Sequence, residues 1–166
     1  ANQKQFTFDM DILIPHYSEI TSNSYQYGEK TIVSFSGGSA SYNYISFGYT
    51  TDGYVHSSES YNGKNHLANQ YVDNANHSFY FIYSTGDNSG DSNFTRIVLT
   101  TEKDLLKQFY GQHINVKIVF DFSSYSSISS GFKLFVNDIP VPLYSRYNVL
   151  PTTGSTLGIT NSIRLN

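Results

Sequence analysis

An all-β antiparallel sandwich of jelly-roll type with one short helix is the fold this sequence predicts. Three features predict it. Short runs rich in Val, Ile, Tyr, Phe and Thr recur from one end to the other. Within them apolar and polar residues alternate with a period of two, which sends successive side chains to opposite faces of a strand. Turn signals carrying Gly, Asn or Asp separate the runs at short intervals, as in sandwiches and barrels. The 166 residues suit a single domain spanning 1–166, able to bury about two-thirds of its unfolded surface without cross-links.

The elements follow in order. Phe6, Phe8, Met10 and Ile12 alternate with Thr7, Asp9, Asp11 and Leu13, so the first set faces the core, and Pro15 closes the strand. Residues 31–36 make the next strand, and Gly37-Gly38 supplies a hairpin turn into 42–49. Asp52-Gly53 is a second hairpin signal, leading into 54–60, and Asn62-Gly63 a third turn. These closely spaced turns predict an antiparallel meander. Residues 78–84 and 94–100 are strands joined by a polar loop. Thr101 to Tyr110 is the one expected helix: Thr101 caps it, Glu102 and Asp104 suit its positive end, and Leu105, Leu106 and Phe109 form an apolar stripe that plugs one end of the sandwich. Residues 113–122 form a long strand, with Ile114, Val116, Ile118 and Phe120 on one face. The strand 132–136, the turn Asn137-Asp138 and a strand beginning at Ile139 make a last hairpin. Pro140 and Pro142 mark that final strand as an edge, because proline has no N–H for the ladder. A strand over 162–165 ends the chain.

Composition limits the function classes. Fifteen tyrosines and twelve phenylalanines stand beside no tryptophan and no cysteine, in a chain crowded with Asn, Ser and Gly. A tyrosine ring stacks on a polar ligand while its hydroxyl bonds to it, and few rotatable bonds are frozen in doing so. Such a surface suits recognition, although most tyrosines in a β-protein are packing residues. The net charge of −3 comes without a Lys/Arg cluster, which argues against nucleic acid and against an anionic membrane surface. No apolar run approaches the ~20 residues of a membrane-spanning helix. Ala1 stands first and a strand pattern begins almost at once, so a domain of a larger protein, or a processed product, is expected.

His113 to Pro142 carries the most specific pattern. A strand enters Phe120-Asp121, a Ser-rich loop follows, and Phe132-Lys-Leu-Phe-Val-Asn-Asp turns into Ile-Pro-Val. This resembles the late hairpin of concanavalin A-like, laminin G-like and galectin-like sandwiches. Tyr144-Ser-Arg-Tyr, Leu157-Gly-Ile and Ile163-Arg-Leu are similar to the closing strands of galectins and laminin G-like modules. The resemblance covers about the last third of the chain by motif and the rest by strand rhythm. It implies glycan binding, on the concave sheet or at its rim loops. The galectin His…Asn-Pro-Arg motif and the Glu-x-Asp-x-x-Glu nucleophile strand of the retaining glucanases are absent, so no residue role is carried over. The chain also resembles the carbohydrate-binding modules inserted into distal tail proteins of phages of Gram-positive bacteria. That likeness implies an extracellular or virion-surface setting and multivalent display through a parent protein.

The candidate ligand-binding residues lie mainly in 54–71: Tyr54, His56, Tyr61, Asn62, Asn65, His66, Asn69 and Tyr71. Their rings suit the C–H faces of sugars and their amide and imidazole groups suit the hydroxyls. A polar loop beside a solvated strand has the same composition. Tyr80 and Arg96 join the set if their strands are neighbours of this segment. Asp87 and Asp91 flank a glycine in an oxygen-rich loop that weakly echoes a calcium site without its bidentate Glu, and an ordinary polar turn is the favoured account of it. No other cofactor is expected. The five histidines, His16, His56, His66, His77 and His113, show no zinc spacing. Neither a Gly-x-Ser-x-Gly elbow nor a cysteine nucleophile exists, and Asp9 and Asp11 read as a solvated face that discourages edge pairing. The expectation is non-catalytic recognition of a cell-surface saccharide. A structural or protein-interaction sandwich is the alternative, and a glycosidase of the same fold comes third.

Overall fold

The computed structural model describes residues 5–22, 29–36, 44–55, 70–85, 95–121, 131–149 and 162–165. Two antiparallel sheets pack face to face. One has four strands in the order β1 (Gln5–Ile14), β8 (Gln112–Asp121), β9 (Phe132–Val136) and β10 (Ile139–Val141). The other has six: β11 (Tyr144–Val149), β7 (Thr95–Thr100), β6 (Ser78–Thr85), β3 (Tyr44–Thr50), β2 (Glu29–Ser36) and β12 (Ser162–Leu165). A short ribbon pairs β4 (Tyr54–Val55) with β5 (Gln70–Tyr71).

Between the sheets lies an aromatic core. Phe47, Phe79 and Phe81 come from the six-stranded sheet, Phe120 and Phe132 from the four-stranded one, all fully or nearly fully buried. Phe120 meets Phe132 edge-on at 5.3 Å, and Phe81 reaches both across the layer. Tight interdigitation of this kind joins the sheets into one body. In β1 the expected alternation holds: Phe6, Phe8, Met10 and Ile12 are half-buried against the core while Thr7, Asp9, Asp11 and Leu13 are exposed.

The six-stranded sheet is covered on its other face as well. Tyr80, Ile82 and Val98 point away from the main core yet are wholly buried, in a second cluster with Val72 and Ala75. The chain over 51–55 and 70–77 provides this cover. Its path corrects the expected meander, because the Asp52-Gly53 turn does not fold β4 back onto β3. Thr50 Oγ1 donates to Asp52 Oδ1 and accepts from the Gly53 amide, and the Val72 amide donates to the Gly53 carbonyl. These bonds lead the chain off the sheet and close the excursion on its return. The partner of β3 is therefore β6.

Turns and helices also depart from expectation in identifiable ways. The expected helix over 101–110 is a short 3-10 helix, Leu105–Phe109. Thr101 does not cap it, since its hydroxyl accepts from the Phe79 amide while its own amide donates to the Phe79 carbonyl. The residue extends the sheet ladder and delays the helix to Asp104, which enters at a φ of 70° without a side-chain cap. An α-helix, α1 (Tyr17–Ser22), was not expected. Pro15 ends β1, and the Glu19 carboxylate accepts from the His16 amide, one half of a capping box with an uncommon residue at its start. The Asn137-Asp138 turn is as expected, with φ of 50° and 64°, the left-handed pair of a type I′ hairpin. β10, with Pro140 in it, is an edge strand.

Candidate functional site

The sequence-predicted site is distributed as follows. His56, Tyr61, Asn62, Asn65, His66 and Asn69 lie outside the described residues, as do Asp87 and Asp91. Tyr54 and Tyr71 are direct cross-strand partners in the β4–β5 ribbon. Arg96 pairs with Ser84 and Val149 in the six-stranded sheet.

Tyr80 requires a correction, because it is wholly buried and offers no surface to a ligand. Its ring lies across Gly48 on the next strand, where an added Cβ would strike the Lys30 carbonyl and come within 2.7 Å of the tyrosine oxygen. The phenol then sits 3.0 Å from the Thr31 hydroxyl. Only a residue without a side chain between Thr31 and Tyr80 permits this reach.

One end of the sandwich gathers the exposed apolar side chains instead. Four large ones are exposed among the described residues: Leu13 (54%), Tyr17 (45%), Ile139 (66%) and Tyr144 (42%). Leu13 lies near the end of β1, Tyr17 just beyond it, Ile139 opens β10 and Tyr144 opens β11. All belong to the end that the 3-10 helix closes. That helix is fastened by backbone bonds, Asp104 N to the Asn76 carbonyl and Leu106 N to the His77 carbonyl, and Gly111 N bonds to the Ile14 carbonyl beyond it. The His16 imidazole packs where a Gly111 side chain would stand. These contacts fasten the 3-10 helix to the sandwich, and a surface preorganised in this way loses less freedom on binding.

Two polar-aromatic constellations stand on it. In the first, the Tyr17 ring meets His77 at 5.3 Å and Tyr110 at 5.4 Å between centroids, and His77 Nδ1 lies 2.7 Å from the Tyr110 oxygen. Both members of that hydrogen bond are held neutral. Burial, with Lys107 and Lys103 nearby, lowers the His77 pKa against the opposing pull of Asp104 and Asp52. Burial raises that of Tyr110 far above the ordinary phenol value, reinforced by Tyr17, Tyr49 and Asp104. The group is thus a half-exposed ring backed by an uncharged imidazole and phenol. In the second, the Arg146 guanidinium lies over the exposed Tyr144 ring at 5.1 Å, and its Nε–H donates to the buried Thr100 hydroxyl at 2.9 Å.

Elsewhere, charged groups are engaged with one another. On the outer face of the four-stranded sheet the Asn115 amide donates to Asp9 at 2.8 Å and to Asp11 at 3.1 Å, while Lys117 pairs with Asp138 and Asp9. Among the described residues no group of three or more His, Cys, Asp or Glu could hold a metal, and no helix is long and apolar enough to cross a membrane.

Sequence reasoning missed this end because its parts are distant in the chain. His77 and Tyr110 meet only through the docking of the 3-10 helix. The Tyr144-x-Arg146 spacing on an expected closing strand was the one local signal. Compared with protein-family models, with curated proteins and with solved structures, the chain matches none.

Proposed function

We propose that this chain is a non-catalytic saccharide-binding sandwich of concanavalin A-like or galectin-like kind, recognising cell-surface polysaccharide from an extracellular or virion surface such as a phage tail. The observation that carries this reading is the placing of two half-exposed tyrosine rings, Tyr17 and Tyr144, at one end, each backed by hydrogen-bonding groups. A pyranose offers apolar C–H faces to such rings and hydroxyls to the imidazole, phenol and guanidinium around them. The Asp9 and Asp11 carboxylates, exposed and shared by one asparagine amide, are unlike the apolar-seated acid of a glycosidase, which favours binding over turnover.

Few groups are buried per site, so single-site affinity is low and repeated display by a parent protein supplies the avidity. The test is a titration with bacterial cell-wall and other surface polysaccharides, with the protein displayed multivalently. Saturable binding lost in Tyr17→Ala or Tyr144→Ala is expected, without release of cleaved product. Absence of saturable binding to every polysaccharide, or binding indifferent to both substitutions, overturns the reading.

Leu13 and Ile139 favour a second reading, a protein-interaction surface, because exposed aliphatic side chains suit a protein partner better than a sugar. Under it, Leu13→Ser and Ile139→Ser abolish association while Tyr17→Ala is the milder change.

A further inference from the structure

Arg146 occupies an unusual position in its strand. Tyr144 pairs with Thr100 and Ser145 with Leu99, but the next pair is Tyr147 with Val98, so Arg146 is the extra residue of a β-bulge. A bulge leaves its residue out of the ladder and re-aims the side chain. Here the guanidinium turns back over the Tyr144 ring and its Nε–H is tied to Thr100 Oγ1, which belongs to a residue with no exposed surface. Ring and hydroxyl together fix the plane of the group. Arginine normally loses much rotamer freedom when it binds, and that loss has already been met in the fold.

The hydrogen-bond inventory then identifies what the group can take. A guanidinium carries five N–H donors: one on Nε and two on each Nη. With Nε engaged, the end-on pair of Nη donors remains, and among the described residues no carboxylate lies within ion-pair distance of it. Two parallel donors on a fixed cation match the two oxygens of a carboxylate. A neutral hydroxyl uses only one of them and leaves the charge unanswered.

We infer that Arg146, held by Thr100 and Tyr144, is a carboxylate-recognising subsite, and that the saccharide bound at this end is an acidic one of the uronic acid class. The Nη pair takes the sugar's carboxylate, and the exposed part of the Tyr144 ring beside the guanidinium lines the same subsite. This inference rests on the saccharide-binding reading above and gives it a ligand class.

The experiment titrates the protein with methyl glucuronoside and methyl galacturonoside, and in parallel with the uncharged methyl glucoside and methyl galactoside. NMR follows the Arg146 Nε–H, the Tyr144 ring and the Tyr17 ring. A charge-assisted bidentate bond makes the uronosides bind about tenfold more tightly than the neutral sugars, with saturable shifts at Arg146. Arg146→Gln levels the two classes. Arg146→Lys keeps the charge but not the fork and restores only part of the preference. Thr100→Val, which leaves Arg146 charged but untied, also weakens it and serves where the glutamine variant is poorly folded. Equal binding of acidic and neutral sugars by the wild type, or an unchanged preference in Arg146→Gln, overturns the inference while leaving saccharide binding in place. No saturable shift at either tyrosine with any of the four sugars overturns both.

Discussion

At the scale of single residues, the His77–Tyr110 pair is where the fold most directly controls protonation. Its two rings come from positions distant in the chain, and no spacing rule would have joined them. His77 sits at a φ of 52°, and its carbonyl holds the 3-10 helix. Burial, then Lys107, lowers its pKa below the ordinary value of 6.5. A base with a depressed folded-state pKa binds fewer protons in the fold than in the unfolded chain, so this contribution is fully present above about 6.5 and is lost as pH falls toward the folded value. The folded protein should accordingly weaken on acidification from about pH 6.5. Asparagine tolerates the left-handed backbone, so His77→Asn removes the titrating group with little added strain. Urea midpoints measured across this range should decline for the wild type and decline less for the variant. Parallel pH slopes in the two proteins would sink the account.

At the scale of elements, legibility followed how local the decisive bonds are. The β9–β10 hairpin was readable because Asn-Asp supplies both left-handed residues of the turn and Pro140 forces an edge. The helix over 101–110 was misplaced because Thr101, an excellent cap by type, is engaged by Phe79 near the start of β6, 22 residues earlier. The hairpin expected at Asp52-Gly53 failed for a similar reason, since Val72 holds the turn from outside the window in which it was read. A prediction belongs to the turn that was read correctly. Asp138 pays a backbone cost at its φ of 64°, and its contact with Lys117 is largely exposed at 3.1 Å. Exposed pairs contribute little, whereas glycine adopts this conformation freely. Asp138→Gly should therefore raise stability by up to about 1 kcal/mol, the order of the strain relieved. Denaturant unfolding measures it, and a loss of stability would mean that the Asp138–Lys117–Asp9 chain of charges matters more than the turn.

At the scale of the whole molecule, the two sheets have different relations to solvent, and this decides where a ligand has room. Residues 78–84 read SFYFIYS, a nearly unbroken apolar run, and such runs signal a strand buried on both faces rather than one. The strand itself was legible; the layer covering its second face was not, because Val72 and Ala75 lie in a stretch without strand periodicity. The four-stranded sheet keeps the one-sided alternation, and its outer face carries Asp11, Asn115, Asp9 and Lys117, linked in that order by hydrogen bonds and an ion pair. One broad face is thus covered by the chain itself, the other is polar and self-satisfied, and the end beside the 3-10 helix retains the exposed rings. A pair of truncations separates the two sheets. Ile82 has no exposed surface, although it points away from the main core, so Ile82→Ala should cost about 2–5 kcal/mol, as a core truncation does. Val119, on the outer face of β8, is only half-buried, and Val119→Ala should cost well under half as much. Denaturant unfolding of both variants gives the comparison. If Ile82→Ala proves no more costly than Val119→Ala, the second face of the large sheet is open to solvent. Tyr80 would then return as a candidate for ligand contact, and the sheet face would stand beside the plugged end as a candidate recognition surface.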